Sequence, residues 1–175
     1  MLRIITQYAR NVKRKIIYSG SLTIYERKEL MKFFINFKLP AIISDEEKEK
    51  NQIEAFERMS KVIKEFCKDN RAYIHCVSLA IWEAMYNSFL HGQTPIEIRM
   101  KVHEKLFFLI KDGGDFYYNK EIKEAIKNKD LEKLRNFKPH EKSCGNGFEI
   151  IFESKPKIKI LKGALCLIWE KACGQ

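Results

Sequence analysis

Residues 81 to 92 read Ile-Trp-Glu-Ala-Met-Tyr-Asn-Ser-Phe-Leu-His-Gly, and this stretch holds three polar residues at a fixed spacing. Glu83, Asn87 and His91 are four residues apart, so on an α-helix their side chains form one row on a single face. The chain around them is mostly apolar from about Arg71 to Leu90. This pattern predicts a central, buried helix that carries one polar row.

Two predicted strands follow this helix and lead to a glycine turn. Residues 96 to 103 alternate strictly between apolar and other side chains, which is typical of a half-buried strand. Leu106 to Ile110 is a continuous apolar run, as expected for an interior strand, and Glu104-Lys105 is predicted to turn the chain between the two. Asp112-Gly113-Gly114 comes directly after the second strand, so we expect it at one end of a sheet.

The C-terminal part of the chain contains a second glycine turn. Gly145-Asn146-Gly147 precedes a short predicted helix over Gly147 to Glu153. Apolar residues then recur in two predicted strands, at about 157 to 161 and 164 to 170. Backbone N–H groups at a glycine turn that opens a helix are suited to binding an anion.

A polar segment separates the two glycine turns. From about residue 117 to 144 the chain is rich in Lys, Glu and Asn, with one predicted helix over Lys120 to Leu134. A long polar segment between a strand and a glycine turn is typical of a lid over a ligand site.

Three further elements are predicted before the central helix. Lys15 to Leu22 is a short strand-like run, and a capping box at Thr23 opens a predicted helix through about Phe37. A second capping box, at Ser44, opens an amphipathic helix that extends to about Cys67.

The order of these elements predicts the fold class. Helices grouped before and between pairs of strands indicate an α+β protein, built as a two-layer α/β sandwich with helices on one face of a mixed, mostly antiparallel sheet. A length of 175 residues is enough for one domain with a substantial core. We therefore expect a single domain over residues 1 to 175, with a basic segment over about 1 to 14 and a lid over about 117 to 144.

Composition indicates a globular protein without a membrane span. Hydrophobic residues make up 45% of the chain and charged residues 32%, and no apolar run reaches the roughly 18 residues that a span requires. The N-terminus lacks the apolar region of a secretory signal, so we expect a cytoplasmic location. The five cysteines show no Cys-x-x-Cys pair or zinc-like grouping, which favours reduced thiols.

The net charge of +10 is concentrated at the N-terminal end. Residues 1 to 40 carry nine Lys or Arg and two Glu, a balance of +7. Such a surface attracts nucleic acid, an anionic surface or an acidic protein. The segment has no interleaved aromatic platform and no helix-turn-helix signature, so a solvated surface or protein docking is favoured over nucleic-acid binding.

The three polar and glycine-rich sites resemble the sequence boxes of a known family, the GHKL or Bergerat-fold ATPases. The motif Glu-Ala-x-x-Asn-x-x-x-His-Gly is most similar to the corresponding motif of the small anti-sigma-factor serine/threonine kinases. The resemblance extends from about Lys15 to Lys171. The matching residues occur in the family's order: Glu83, Ala84, Asn87, His91 and Gly92, then Asp112 and Gly114, then Gly145, Gly147 and Phe148, and finally Gly163.

The resemblance implies ATP and Mg²⁺ as cofactors and a role for each matched residue. Asn87 would bind Mg²⁺ through its side-chain oxygen. Glu83 would be the general base that takes a proton from the attacking hydroxyl. Asp112 would accept a hydrogen bond from the adenine amino group, and Gly114 would let the base approach the backbone. His91 closes the same motif at the end of the predicted helix, where the helix dipole favours a cation.

The resemblance also implies a set of groups around the phosphates. Gly145, Asn146 and Gly147 would present backbone N–H groups to them. Phosphoryl transfer depends mainly on positioning and charge neutralisation, so cationic lid residues would complete the site. The candidates are Arg135, Lys138, His140 and Lys142.

The resemblance also implies an activity, that of a protein serine/threonine kinase. Such a kinase would form a homodimer, bind a sigma-like regulator and phosphorylate the small protein that antagonises it. Two residues depart from the family pattern: Phe116 replaces a small residue, and Ala164 replaces the Thr expected after Gly163, beside the adenine. These departures keep open a degenerate, non-catalytic adaptor that acts by protein contact. A basic nucleic-acid-binding protein is the third and less favoured alternative.

Overall fold

A computed structural model describes residues 33–39, 44–68, 70–137 and 146–171. Several sequence-based predictions lie outside these residues: the strand at 15 to 22, the capping box at Thr23, the basic segment at 1 to 14, and the site residues Lys138, His140, Lys142 and Gly145.

The described strands form one antiparallel sheet. They are β1 (Phe33–Lys38), β2 (Glu97–Val102), β3 (Lys105–Lys111), β4 (Lys157–Leu161) and β5 (Ala164–Glu170), in the spatial order β1-β2-β3-β5-β4. Each neighbouring pair is antiparallel, so the sheet is not mixed as we had expected. The reason is the connectivity, because β2 and β3 form one hairpin and β4 and β5 form another.

The segment Phe33–Lys38 is a strand, and the predicted helix through Phe37 is wrong there. Its backbone pairs with β2, with Ile35 opposite Met100 and Phe37 opposite Ile98. Ile35 and Phe37 are half-buried against the core, whereas Asn36 and Lys38 are exposed. This alternation with a period of two suits a sheet edge, and the available partner strand decides the conformation.

Two long helices confirm the predictions for the middle of the chain. Helix α1 (Asp45–Cys67) begins at the capping box, where the Ser44 hydroxyl accepts from the Glu47 N–H and the Glu47 carboxylate accepts from the Ser44 N–H. Helix α2 (Arg71–Leu90) begins at Asn70, whose side chain accepts from the Tyr73 N–H. Among the described helices, none combines the length and apolar character needed to cross a membrane.

The predicted lid helix is divided in two. A 3-10 turn (Phe116–Tyr118) is followed by α3 (Lys120–Asn128) and α4 (Leu131–Asn136). The break falls at Lys129, which has a left-handed backbone with φ 55°, and at Asp130, whose carboxylate accepts from the Lys133 N–H. Asp130 therefore caps a new helix, which is the physical reason why one continuous helix over Lys120 to Leu134 does not form.

Helices cover one face of the sheet and form the second layer. Helix α1 contacts β1 and β2, α2 contacts β3, and α3 contacts β4, while α5 (Gly147–Glu153) packs on α2. Three rows of buried side chains cross β2, β3 and β5 on the helix-facing side: Ile98, Ile110 and Leu165; Met100, Phe108 and Leu167; Val102, Leu106 and Trp169. The predicted two-layer α/β arrangement is therefore confirmed.

Candidate functional site

A cavity of about 440 Å³ opens where the C-terminal half of α2, the loop after β3 and the start of α5 meet. It brings together residues from all three predicted sequence boxes and from the lid segment. The predicted site residues that line it are Glu83, Asn87, His91, Asp112, Gly114, Asn146 and Gly147. Apolar residues of the lid segment, among them Ile122, Leu134 and Phe137, close one side. The volume lies within the range of small-molecule sites in proteins.

The polar row of α2 faces the first residue of α5. A Cβ built on Gly147 would lie 2.9 Å from Asn87 Nδ2 and 3.1 Å from Glu83 Oε2. Only a residue without a side chain fits at that separation without displacing its neighbours. Gly147 therefore allows α5 to approach α2 so closely that the Glu83 and Asn87 side chains lie against its backbone.

Glu83 is half-buried at the wall of the cavity. Burial raises the pKa of its carboxyl above the ordinary value, because the charged form loses hydration. A carboxylate with a raised pKa is a stronger base than one in water, which suits a group that takes a proton.

Asn87 places an amide oxygen beside the Glu83 carboxylate. A Cβ built on Gly147 would lie 3.5 Å from Asn87 Oδ1, next to the Glu83 oxygen already described. Neutral and anionic oxygens are the ligands that Mg²⁺ prefers, and Mg²⁺ often binds through one or two protein oxygens and substrate phosphates. The residues present therefore fit such an ion, although the described residues hold no cluster of three His, Cys, Asp or Glu that would bind a metal without a substrate.

Asp112 is held in a fixed orientation at the end of β3. Its side chain is 5% exposed, and its Oδ1 accepts from the Gly114 N–H at 2.9 Å. Burial raises the pKa of the Asp112 carboxyl, an effect partly offset by the Gly114 N–H and by the nearby Ser88 side chain. The loop itself is tied to the end of α2, because the Gly113 N–H donates to the Gln93 carbonyl at 2.5 Å.

Phe116 packs on α5. Its ring is stacked with that of Phe148, with centroids 6.4 Å apart and an angle of 22° between the planes, and it meets Tyr117 edge-on at 5.1 Å. Phe116 and Phe148 both line the cavity. The large side chain at this position thus links the Asp112 loop to the first turn of α5.

Arg135, one of the predicted lid cations, is directed toward α5. Its Nη2 donates to Glu149 Oε2 at 2.7 Å and to Asn146 Oδ1 at 3.5 Å. Arg135 does not line the cavity, in contrast to its neighbour Leu134. Its guanidinium group therefore binds the N-terminal turn of α5, the helix that begins at Gly147.

Ala164 lies apart from the cavity. It is buried at the start of β5, where it pairs with Leu161, and neither it nor Gly163 is among the lining residues. Gly163 has φ 77° in the β4–β5 turn, and a Cβ built on it would lie 2.2 Å from the ring of Tyr118. The Ala164 position thus belongs to the hairpin and to the sheet in this structure.

Several lining residues were not identified from the sequence. Ser88, Tyr86 and Tyr117 line the cavity beside the predicted residues, and so does Asn119, the N-cap of α3. Ser88 and Tyr86 directly flank Asn87, so their position next to a motif residue was the available signal. Tyr117 was assigned to the lid, but it is 3% exposed and belongs to the core.

No protein-family model matches this chain, and no curated protein matches it. The fold and the site define a two-layer α/β protein with an antiparallel sheet and a cavity at the end of its central helix.

Proposed function

We propose that the chain is an ATP-binding protein serine/threonine kinase of the anti-sigma-factor type, with a Bergerat-type nucleotide site. The single observation that supports this most is the meeting of three sequence boxes at one cavity. Glu83 and Asn87, then Asp112 and Gly114, then Gly147 are far apart in sequence, yet all line the same space. Each box by itself is a weak signal, but their convergence is what a nucleotide pocket requires.

The buried end of the cavity is suited to the base of the nucleotide. Asp112 is fixed through Oδ1, and its carboxylate accepts hydrogen bonds in a site that is largely shielded from water. An exocyclic amino group would supply the matching donor. A buried acceptor that meets a ligand donor adds both affinity and orientation.

Glu83 would carry the proton transfer. The hydroxyl oxygen of a serine or threonine on the partner attacks the γ-phosphorus of ATP, its proton passes to Glu83 Oε2, and the bond between the γ-phosphorus and the β,γ-bridging oxygen breaks. The products are a phosphorylated protein and ADP. The raised pKa of Glu83 supports this role, because a carboxylate that has lost hydration is a stronger base than one in water.

Asn87 would hold Mg²⁺ together with the phosphate oxygens, and the ion would neutralise charge on the phosphates. Gly147 would leave room for the phosphates next to Asn87, because any side chain there would fill the gap between α5 and α2. Asn146 and Gly145 belong to the same proposed phosphate region, and so do Lys138, His140 and Lys142.

The proposal includes a protein partner, a sigma-like regulator or its antagonist, and a cytoplasmic homodimer. The partner and the homodimer rest on the sequence resemblance, and the cytoplasmic location rests on the sequence composition. The +7 balance of residues 1 to 40 is consistent with an acidic partner surface.

Calorimetric titration with Mg·ATP tests the pocket. Wild type is expected to bind in the micromolar range, and Asp112→Asn is expected to lose at least tenfold in affinity because the amide presents a donor as well as an acceptor. Glu104→Gln is the control, since it makes the same acid-to-amide change in the exposed β2–β3 turn, away from the cavity. Equal losses in both variants, or no binding by wild type, would contradict the proposed nucleotide site.

Hydrolysis of labelled ATP tests the proposed phosphoryl transfer without a known protein partner. Water then takes the place of the serine or threonine hydroxyl, and slow release of labelled phosphate is measured. Glu83→Gln is expected to retain Mg·ATP binding within about threefold and to lose about 10²-fold or more in turnover. Glu104→Gln, in the exposed β2–β3 turn, is the control. Binding of ATP by wild type without any turnover would instead support the non-catalytic adaptor.

A further inference from the structure

The antiparallel sheet has a second face, opposite to the helices. Because side chains alternate along a strand, the residues between the buried helix-facing ones are directed to this second face. They include exposed cations on two strands, Arg99 and Lys101 on β2 and Lys157 and Lys159 on β4. None of these four residues lines the cavity, so this face is separate from the candidate nucleotide site.

An apolar strip lies between the two cationic strands. Phe107 on β3 is placed between Lys101 of β2 and Ile168 of β5. On the far side of Ile168 is Lys157 of β4. Phe107 and Ile168 are half-buried, whereas both lysines are exposed. This row across the sheet is therefore a cation, two apolar residues and a second cation.

The neighbouring row has the same order. Leu109 on β3 is placed between Arg99 of β2 and Cys166 of β5, and beyond Cys166 is Lys159 of β4. Burial raises the pKa of Cys166 to about 11, and the nearby Lys159 ammonium group opposes this rise. The Lys159 side chain thus lies beside the apolar strip. These two rows form the outer sheet face of the protein.

The outer sheet face carries positive charge without matching acids. The acids on this side of the described sheet, Glu97 and Glu170, are already in ion pairs. Among the residues that the structure describes, Lys101, Lys157 and Lys159 form no ion pair. A partner that covers the face must therefore supply carboxylates at both edges and apolar groups in the middle, since covering an ammonium group without a counterion is costly.

We propose that the outer sheet face is the docking site for an amphipathic α-helix of a partner protein, with acidic residues on both sides of its apolar stripe. β2 and β4 are three strand spacings apart, about 14 Å, and an α-helix with its side chains is about 10–12 Å wide. Such a helix covers the apolar strip and brings its carboxylates to the lysines at both edges. Residues 1 to 32 of this chain are unsuited to that position, because they carry eight Lys or Arg and two Glu.

A synthetic helical peptide tests the docking site. The probe is a stapled peptide of about 18 residues with one stripe of Leu and with Glu on both sides of the stripe. One control peptide has Gln in place of Glu, and a second has the probe's residues in scrambled order. NMR spectra of the isotope-labelled full chain locate the contact, and fluorescence anisotropy gives the affinities. We expect shifts in the two rows of the outer sheet face, and both control peptides are expected to bind at least about fivefold more weakly.

Variants of the protein test the two edges and the strip separately. Lys101→Glu and Lys159→Glu should each weaken binding of the acidic peptide at least about fivefold, and Phe107→Ala about tenfold. Lys127→Glu makes the same charge change at an exposed position on α3 and should stay within about twofold of wild type. Affinity for Mg·ATP should be unchanged in all four variants, so peptide docking and the proposed nucleotide site can fail independently. Thermal unfolding of each variant identifies a loss that comes from misfolding.

Several outcomes would overturn the inference and leave the proposed function standing. They are no binding of the acidic peptide, equal binding of the scrambled peptide, and shifts confined to the helical layer. An equal loss in Lys127→Glu and Lys101→Glu would show that net charge alone attracts the peptide. If single-stranded oligothymidylate binds more tightly than the peptide and shifts the same residues, the occupant is a nucleic acid and the protein-helix proposal is wrong.

Discussion

Gly147 and Asn87 are in direct contact across the junction of α5 and α2, so that a Cβ on Gly147 would lie 2.9 Å from Asn87 Nδ2. The contact joins two sequence boxes that are far apart in the chain. It also sets how closely the backbone of α5 approaches the Glu83 carboxylate, whose Oε2 would be 3.1 Å from the same Cβ.

Gly147→Ala is expected to weaken affinity for Mg·ATP while changing stability by no more than about 1 kcal/mol, the amount by which Ala is ordinarily favoured over Gly within a helix. The added methyl group would meet only the outer atoms of the Asn87 and Glu83 side chains, which can rotate away without moving α5. The displaced side chains would then leave the positions at which they are proposed to act. Chemical denaturation and calorimetry measure the two effects. A large loss of stability, or an unchanged affinity, would contradict this account of the contact.

The free protein is expected to become more stable when Asp112 is replaced by Asn. The pKa of Asp112 is raised in the folded state by burial, so the folded protein holds this proton more tightly than the unfolded chain does. Stability from this group is therefore present at low pH and is lost as pH rises from the ordinary carboxyl pKa through the raised value. Glu83 contributes in the same direction.

Thermal unfolding between about pH 4 and pH 8 tests the predicted direction in which stability changes with pH. Asp112→Asn should have the higher midpoint at pH 7, and its midpoint should depend less on pH than that of wild type. A wild-type midpoint that rises more steeply with pH than that of Asp112→Asn would contradict the direction of the shift.

Phe116→Ala is expected to weaken both stability and nucleotide binding. The variant loses the stack with Phe148, at a cost of about 1–3 kcal/mol for a half-buried aromatic side chain, and it loosens the first turn of α5. Denaturant midpoints and Mg·ATP titrations measure the two effects. Phe107→Ala is the matched control, because Phe107 is also half-buried but lies on β3 outside the cavity. It should reduce stability without changing affinity.

An unchanged or tighter affinity for Mg·ATP in Phe116→Ala would mean that the ring obstructs the cavity rather than supporting it. That outcome would also favour the non-catalytic alternative, in which the aromatic residue limits the bound nucleotide. Phe116→Leu separates ring stacking from volume, since Leu keeps apolar contact without an aromatic face.

The ion pair between Arg135 and Glu149 should contribute less than about 1 kcal/mol, because both side chains are more than 40% exposed. A double-mutant cycle with Arg135→Ala and Glu149→Ala measures the coupling, and high salt should reduce it further. A coupling free energy that is large and insensitive to salt would show that the pair is shielded from solvent and fixes the position of α4 on α5.

Most elements of the described chain were predictable because their signals are local. The capping box at Ser44, the alternation in β2 and the apolar spacing of α1 each depend on residues that are close in sequence. Phe33–Lys38 was missed because its local pattern permits helix or strand, and pairing with β2 decides between them. The break at Lys129 and Asp130 was missed because a run of good helix formers surrounds one capping residue.

Some residues of the candidate site were likewise predictable from the sequence, and others were not. Glu83, Asn87, Asp112 and Gly147 stand out in the sequence, since polar spacing on a helix and glycine turns are visible there. Ser88 does not stand out, because a serine within a helix has many ordinary roles, and only its burial in the cavity wall near Asp112 distinguishes it. The position of Ala164 away from the cavity was likewise invisible, because it depends on how the β4–β5 hairpin packs.

The sequence by itself determined where most helices and strands of the described chain begin and end, and it marked several of the residues that line the cavity, because caps, alternation and glycine turns act over a few residues. Only the tertiary structure decided that β1 joins the sheet, that α5 packs on α2 at Gly147 and that the Ser88 side chain lies near the Asp112 carboxyl. Those relationships depend on contacts between residues that are distant in the chain, and such contacts form only when the helices and the sheet bury a common core.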